Sequence, residues 1–247
     1  MNIVLFTEKE ISAPLLLSDE RAQHILKILH KKNGDSFTSG IIGGKAGKST
    51  ITKIDEKYLH FSFNPESDGK PLKPLIMIIG FPRPIQLKRL FRDMAGLGVS
   101  QIHLTGTELS EKSYLKSNMI INGQAETALL EGSMQAKSTH IPALTVHETL
   151  LSCLEKIEKD NPQCTKILLD NIEAESSLST KMEKILNAEY YLPIVAAIGS
   201  ERGWTEKERE IFKQKGYCLC SMGDRVLRTE TAATVASAII LERLGEL

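Results

Sequence analysis

From Asn2 to about residue 70 the apolar positions follow a period of two. NIVLF, SFTSGII, STITKI and YLHFSF are short, β-rich and alternating, which is the signature of half-buried strands. One stretch, DERAQHILKILH, switches to helical spacing. Ser18 stands as its N-cap, and Asp19 and Glu20 occupy the first turn, where negative charge suits the helix dipole. The segment DGKPLKP, Asp68 to Pro74, closes this region, because Gly and two prolines cannot continue a helix or a central strand. The pattern predicts a small β-barrel over residues 1–70, the size of many RNA-binding barrels. Beyond it, over residues 75–247, apolar runs alternate with amphipathic stretches. LIMIIGF leads to a helix through Met94, VSQIHL to a helix around Ala125 to Met134, and KILLD to a helix near Thr180. PIVAAIG leads to a helix from Thr205, and YCLCSM to a final helix. Such continuous strands predict an α/β domain with a parallel sheet covered on both faces. Thr180 to Glu183 and Thr205 to Glu208 each read as a capping box.

Composition adds little to this outline. With 41% hydrophobic and 25% charged residues, the chain is an ordinary globular protein. Thirty-one basic residues balance thirty-one acidic ones, which argues against coating nucleic acid by bulk charge. Local basic stretches remain at KILHKK and RPIQLKRLFR. The four cysteines show no CxxC spacing and read as reduced core thiols, so neither disulfide nor metal is expected. No signal peptide or membrane-spanning run is evident, and a cytoplasmic location is expected.

GGKAGKST, Gly43 to Thr50, resembles the end of a phosphate-binding loop. The motif requires Gly five residues before Gly47, where Ile42 stands, and a helix afterwards, where ITKID alternates as a strand. A glycine-rich hairpin turn is predicted, with Lys45 and Lys48 at its tip available to a polyanion. An NTPase is therefore a distant alternative.

Two segments near the C-terminus carry candidate chemistry. In AAIGSERGWTEKERE a strand ends at Gly199, a short loop runs to Gly203, and Thr205 caps a helix. In SMGDRVLRTETAATVASAII a strand ends at Gly223, and a loop with Arg225, Arg228 and Glu230 leads to a helix with Thr229 as N-cap. Ligands of open α/β sheets bind beyond the carboxyl ends of strands, and arginines there suit anionic or polar ligands. The plainer readings are an ordinary strand-to-helix turn and arginines paired with Asp224 and Glu230. The last helix is apolar nearly all round, as a buried helix is.

The pairing of IGSERGWTEKE with MGDRVLRTETA resembles the RsmE family, whose motifs run I-G-P-E-G-G plus an aromatic and L-G-x-R-I-L-R-x-E-T-A. DERAQHILKILHKKNGD, KRLFRDMAGLGVSQIHLTGTELSEKS and ALLEGSMQAKSTHIPAL resemble further family segments in order, so the likeness covers nearly the whole chain. The resemblance implies a PUA-like barrel followed by a SPOUT domain with a C-terminal trefoil knot, working as a homodimer. It implies methylation of N3 of a uridine in small-subunit (16S) ribosomal RNA with S-adenosyl-L-methionine (SAM) as cofactor. SAM would be held by the segment from Leu169 to Glu173, by Ile198, Gly199, Ser200, Glu201 and Gly203, and by Met222, Gly223, Arg225, Val226, Leu227 and Thr231. Arg228 would stabilise the charge developing on uracil or hold a phosphate, and Glu230 or Glu201 would accept the N3 proton or orient the arginine. Glu230 reads equally as a helix-start charge. Lys27, Lys31, Lys32, Arg83, Lys88 and Arg92 would meet RNA. The chain departs from the family pattern at His30, Gly132, Gln135, Ser200 and Arg202. The alternative function is an RNA-binding or ribosome-assembly protein of the same fold.

Overall fold

The computed structural model describes residues 2–187 and 192–247. Two compact units are present: Met1–Pro71 with Leu130–Ile141, and Leu72–Leu129 with Pro142–Leu247. The sequence pattern gave no sign that 130–141 joins the first unit.

In the first unit, β1 (Val4–Phe6), β2 (Leu15–Leu16), β3 (Ser36–Ile41), β4 (Ala46–Ile54) and β5 (Tyr58–Ser67) form one sheet in the order β1-β3-β4-β5-β2. β1 runs parallel to β3, and the β3–β4, β4–β5 and β2–β5 pairs are antiparallel. The inward positions Val4, Phe6, Phe37, Ile51 and Leu59 make its core with Ile11, Leu15, Ala22 and Ile25. The helical stretch is α1 (Glu20–Gln23), continued by a π turn over His24–Ile28. Its N-cap is Asp19, not Ser18, because the Asp19 carboxylate accepts from the Arg21 N–H.

GGKAGKST is a β3–β4 hairpin turn. Its glycine backbone is already engaged: the Gly43 N–H donates to the Thr139 carbonyl, and the Thr139 hydroxyl donates to the Gly44 carbonyl. The tip lysines pair with carboxylates, Lys45 with Asp68 and Lys48 with Glu66. The turn thus anchors segment 130–141 and presents its amides to protein.

The second unit contains β6 (Lys73–Gly80), α2 (Pro84–Leu97), β7 (Val99–Thr105), α3 (Asn118–Ile121), the start of α4 (Gln124–Gln135), β8 (Ala143–His147) and α5 (Leu150–Asp160). It continues with β9 (Thr165–Leu169), β10 (Ser176–Ser177), α6 (Leu178–Leu186), β11 (Ile194–Ile198), α7 (Glu206–Gln214), β12 (Cys218–Ser221) and α8 (Thr229–Arg243). Its seven strands are all parallel, in the order β10-β12-β9-β11-β6-β7-β8. β6 and β11 lie centrally, and Leu75 to Ile79 and Ile194 to Ala197 are fully buried, which explains their unbroken apolar runs. Among the described residues no helix is long and apolar enough to cross a membrane.

In this unit two further caps differ from the sequence reading. Ser177 rather than Thr180 caps α6, accepting from the Thr180 N–H. Arg228 occupies the N-cap position of α8, and Thr229 is its first helical residue. The Thr205–Glu208 capping box is complete. α8 packs on α2, α6, β6 and β11, so Ala232, Ala233, Ala236, Ile240 and Leu241 are buried within their own chain. Val235 and Ile239 remain partly exposed.

Candidate active site

β12, β9 and β11 are neighbours, and their carboxyl ends open into one cavity of about 260 Å³. Three loops wall it: Leu169 to Ile172 after β9, Ile198 to Trp204 after β11, and Met222 with Arg225 to Leu227 after β12. Arg209 of α7 and Thr229 and Ala232 of α8 complete the lining. This is the strand-end placement expected of a ligand site in an open parallel sheet.

The β9 loop is held by charge. Asp170, 7% exposed, accepts from Arg209 Nε at 3.0 Å, and its Oδ2 also takes the backbone N–H groups of Ile172 and Glu173 at 3.2 and 2.7 Å. Burial pushes the Asp170 carboxyl up, but the Arg209 hydrogen bond and the Glu173 N–H outweigh it and hold the group below its ordinary value. The cavity also reaches the core. Trp204 donates from Nε1 to the Leu169 carbonyl at 3.3 Å and packs edge-on against Phe212 at 4.8 Å.

The β11 loop turns tightly: the Gly203 N–H donates to the Ser200 carbonyl at 2.9 Å. Gly203 takes the positive φ of 72°, whereas Arg202 does not. The arginine therefore occupies a position that an L residue tolerates, and the left-handed conformation falls on the neighbouring glycine. The loop lies directly on the end of β6. A Cβ placed on Gly80 would stand 2.5 Å from the Ser200 nitrogen and 2.9 Å from the Gly199 carbonyl carbon. Gly80→Ala is expected to displace the loop and cost about 1–3 kcal/mol, as overpacking does. Thermal unfolding and cofactor titration of that variant check it.

Most sequence-assigned cofactor residues converge: Leu169, Ile198, Gly199, Ser200, Glu201, Gly203, Met222, Arg225, Val226 and Leu227 line the cavity. Gly223 and Thr231 lie outside the lining, and so do Arg228 and Glu230. Arg228 is exposed beside the wall residues Leu227 and Thr229. Glu230 is 5% exposed, and with the Gln86 amide oriented toward it, the Gln86 NH₂ donates to its carboxylate. Glu201 faces the cavity and accepts from the Arg83 N–H at 2.7 Å. The first turn of α2 and the residue before it therefore engage both candidate carboxylates. Thr229, expected to cap α8, donates its hydroxyl to the Gly199 carbonyl at 3.4 Å.

Arg209 and Trp204 were not singled out as site residues, and Asp170 entered only as part of the segment from Leu169 to Glu173. Asp170 and Arg209 lie 39 residues apart, and nothing local marks them as partners. Trp204 had a signal, the aromatic that ends the glycine-loop motif. Of the basic residues read as RNA contacts, Lys27, Lys32, Arg83, Lys88 and Arg92 are exposed and Lys31 is half-buried.

The family model for an RNA methyltransferase domain matches residues 69–241. Over 98% of this chain and 91% of its own length, ribosomal RNA small subunit methyltransferase E of Treponema pallidum (strain Nichols) is 42% identical. The chain belongs to the ribosomal RNA small subunit methyltransferase E family. A second member, ribosomal RNA small subunit methyltransferase E 1 of Borreliella burgdorferi, is 36% identical over 99% of both chains. Among solved structures, the methyltransferase E of Neisseria gonorrhoeae bound to S-adenosyl methionine superposes with a TM-score of 0.76 at 20% identity, covering 98% of this chain and 97% of that one. A probable rRNA-methyltransferase from Porphyromonas gingivalis gives 0.79 at 21% identity, with 99% of each chain covered. At these identities the solved structures establish the shared fold.

Proposed function

We propose that this protein methylates N3 of a uridine in small-subunit (16S) ribosomal RNA, using SAM. The observation that carries the reading is the cavity at the ends of β9, β11 and β12 in a member of a methyltransferase family. The lining suits the cofactor. Leu169, Ile198, Met222, Leu227 and Ala232 offer apolar surface for an adenine ring, while Asp170 offers a carboxylate for hydroxyl or ammonium groups. When bound, the cofactor supplies an electrophilic methyl group on a sulfonium.

The chain supplies position and charge. N3 of uracil is protonated and lies on the pairing edge, so the base must be unpaired or extruded and the proton removed. Of the two carboxylates lining the cavity, Asp170 is paired with Arg209, and we assign Glu201 as proton acceptor. Arg228, at the cavity border, faces the charge that develops on the pyrimidine or an adjacent phosphate. Glu230, bound to Gln86, fixes the start of α8.

The same reading takes the tail as a trefoil knot of the SPOUT type. The insertion of β11 between β9 and β6, with β12 outside β9, supports it. The five-stranded sheet of the first unit is read as the PUA-like barrel, and the partly exposed Val235 and Ile239 of α8 as part of a homodimer face. The chain would act in the cytoplasm, where ribosomal RNA lies.

Calorimetric titration with SAM and mass-spectrometric mapping of 16S RNA from cells lacking the protein test the proposal. Binding at one site per chain and the loss of a methyl group from one uridine are expected. Absence of binding at high cofactor concentration would instead favour an RNA-binding or assembly protein. Replacing Lys27, Lys31 and Lys32 by alanine should weaken RNA binding and flatten its salt dependence by roughly one unit of slope for each phosphate no longer neutralised. Filter binding at several salt concentrations measures it.

A further inference from the structure

At the other end of the parallel sheet, β7 and β8 pair in register and carry His103 and His147, with Cys153 on α5 beside them. All three are buried, at 2, 8 and 0% exposure. One ring nitrogen of each histidine and the Cys153 sulfur lie within 4.8 Å of one another. His103 Nδ1 stands 2.9 Å from His147 Nε2, and the rings stack at 5.2 Å and 15°. The opposite nitrogen of His103, Nε2, is 3.2 Å from Gln101 Oε1. An amide oxygen only accepts, so Nε2 carries the proton and the Nδ1 lone pair faces His147. An imidazole whose far N–H is fixed by an oxygen while its near nitrogen faces other donors has the arrangement of a metal ligand.

We propose that His103, His147 and Cys153 form a binding site for a divalent d-block cation of borderline softness, with Zn²⁺ as the type. Bonds of about 2.0–2.1 Å to nitrogen and 2.3 Å to sulfur place tetrahedral ligand atoms roughly 3.3–3.6 Å apart; the two nitrogens now stand at 2.9 Å and all three atoms lie within 4.8 Å of one another, so small side-chain shifts reach that geometry. On binding, the Cys153 thiol proton passes to solvent and the proton on His147 Nε2 moves to Nδ1 of the same ring. Each near nitrogen then offers a lone pair, and the sulfur a thiolate. Three protein ligands leave a fourth position for water. β8 is an edge strand, so the cation has a side to enter from.

The site is connected to the methyltransferase cavity through a chain of hydrogen bonds. The Gly106 N–H donates to the His147 carbonyl at 3.1 Å. The Thr107 hydroxyl donates to Ser200 Oγ at 3.4 Å, and the Glu108 N–H donates to Glu208 at 2.9 Å. A cation at the β7–β8 edge would brace the loop that supports the Ser200 turn. Linear spacing gave no sign of this cluster, because 44 residues separate the two histidines.

The test titrates chelator-stripped full-length protein with Co²⁺ as spectroscopic probe, then with Zn²⁺ as competitor. One equivalent of Co²⁺ should produce a thiolate charge-transfer band that Zn²⁺ removes. The band should vanish in Cys153→Ala and persist in Cys164→Ala. Zn²⁺ should also raise the melting temperature of the native chain by several degrees. If Cys153→Ala does not fold, His147→Gln replaces it, and the band should shift or vanish there too. No thiolate band in the native chain at saturating Co²⁺ overturns the assignment and leaves a hydrogen-bonded histidine pair; so does a band that survives Cys153→Ala. The readout requires neither RNA nor SAM, so it stands apart from the methylation tests.

Discussion

Arg209→Ala should be among the most destabilising single changes in the second unit. The variant strands the Asp170 carboxylate, whose side chain is 3% exposed, without its cation. Leaving a buried charge uncompensated costs about 3–5 kcal/mol. Two consequences follow together, because Asp170 also receives the Ile172 and Glu173 amides. The melting temperature should fall, and SAM affinity should fall with it as the β9 loop loosens. Asp170→Asn separates the two effects. The native carboxyl is held below its ordinary value, so its stabilisation is complete above the unfolded carboxyl's pKa and disappears as pH drops through the folded one. The native chain should therefore lose stability on acidification more steeply than Asp170→Asn. Identical acid limbs for the two proteins would show that the ion pair contributes nothing to folding.

Glu201→Gln should reduce methyl transfer by about two to four orders of magnitude, the range for loss of a general base. The glutamine can still accept the Arg83 N–H that Glu201 accepts at 2.7 Å, so the loop geometry and SAM affinity should hold. Arg228→Ala should lower turnover by about 10²–10³-fold, as loss of one charge-stabilising donor does. Single-turnover rates measure both losses. If Glu201→Gln turns over normally and Glu230→Gln does not, the proton acceptor has been assigned to the wrong carboxylate.

How much of this was written in the sequence depended on the range of the interaction involved. Strands buried on both faces, such as LIMIIGF and PIVAAIG, announce themselves by unbroken apolar runs, and the Thr205–Glu208 box by a three-residue spacing. Local competition is harder to read. Asp19 displaces Ser18 because its carboxylate reaches the Arg21 amide, and Ser177 displaces Thr180 because α6 starts three residues earlier than the motif suggests. β8 and α5 went unread, as ALTVH is short and only half-buried. The cavity loops were legible from glycine and the family motif. The Asp170–Arg209 pair and the Gln86 contact to Glu230 were not, since both depend on strands and helices distant in the chain.

Trp204 is the chain's single tryptophan, and it forms part of the cavity wall. Its indole is shielded from water and fixed to the Leu169 carbonyl. The protein thus carries an intrinsic fluorophore at the place where its small-molecule partner would dock, and no other indole contributes background. Occupancy of that pocket can be followed by emission from the unlabelled native chain, in real time and without any engineered probe.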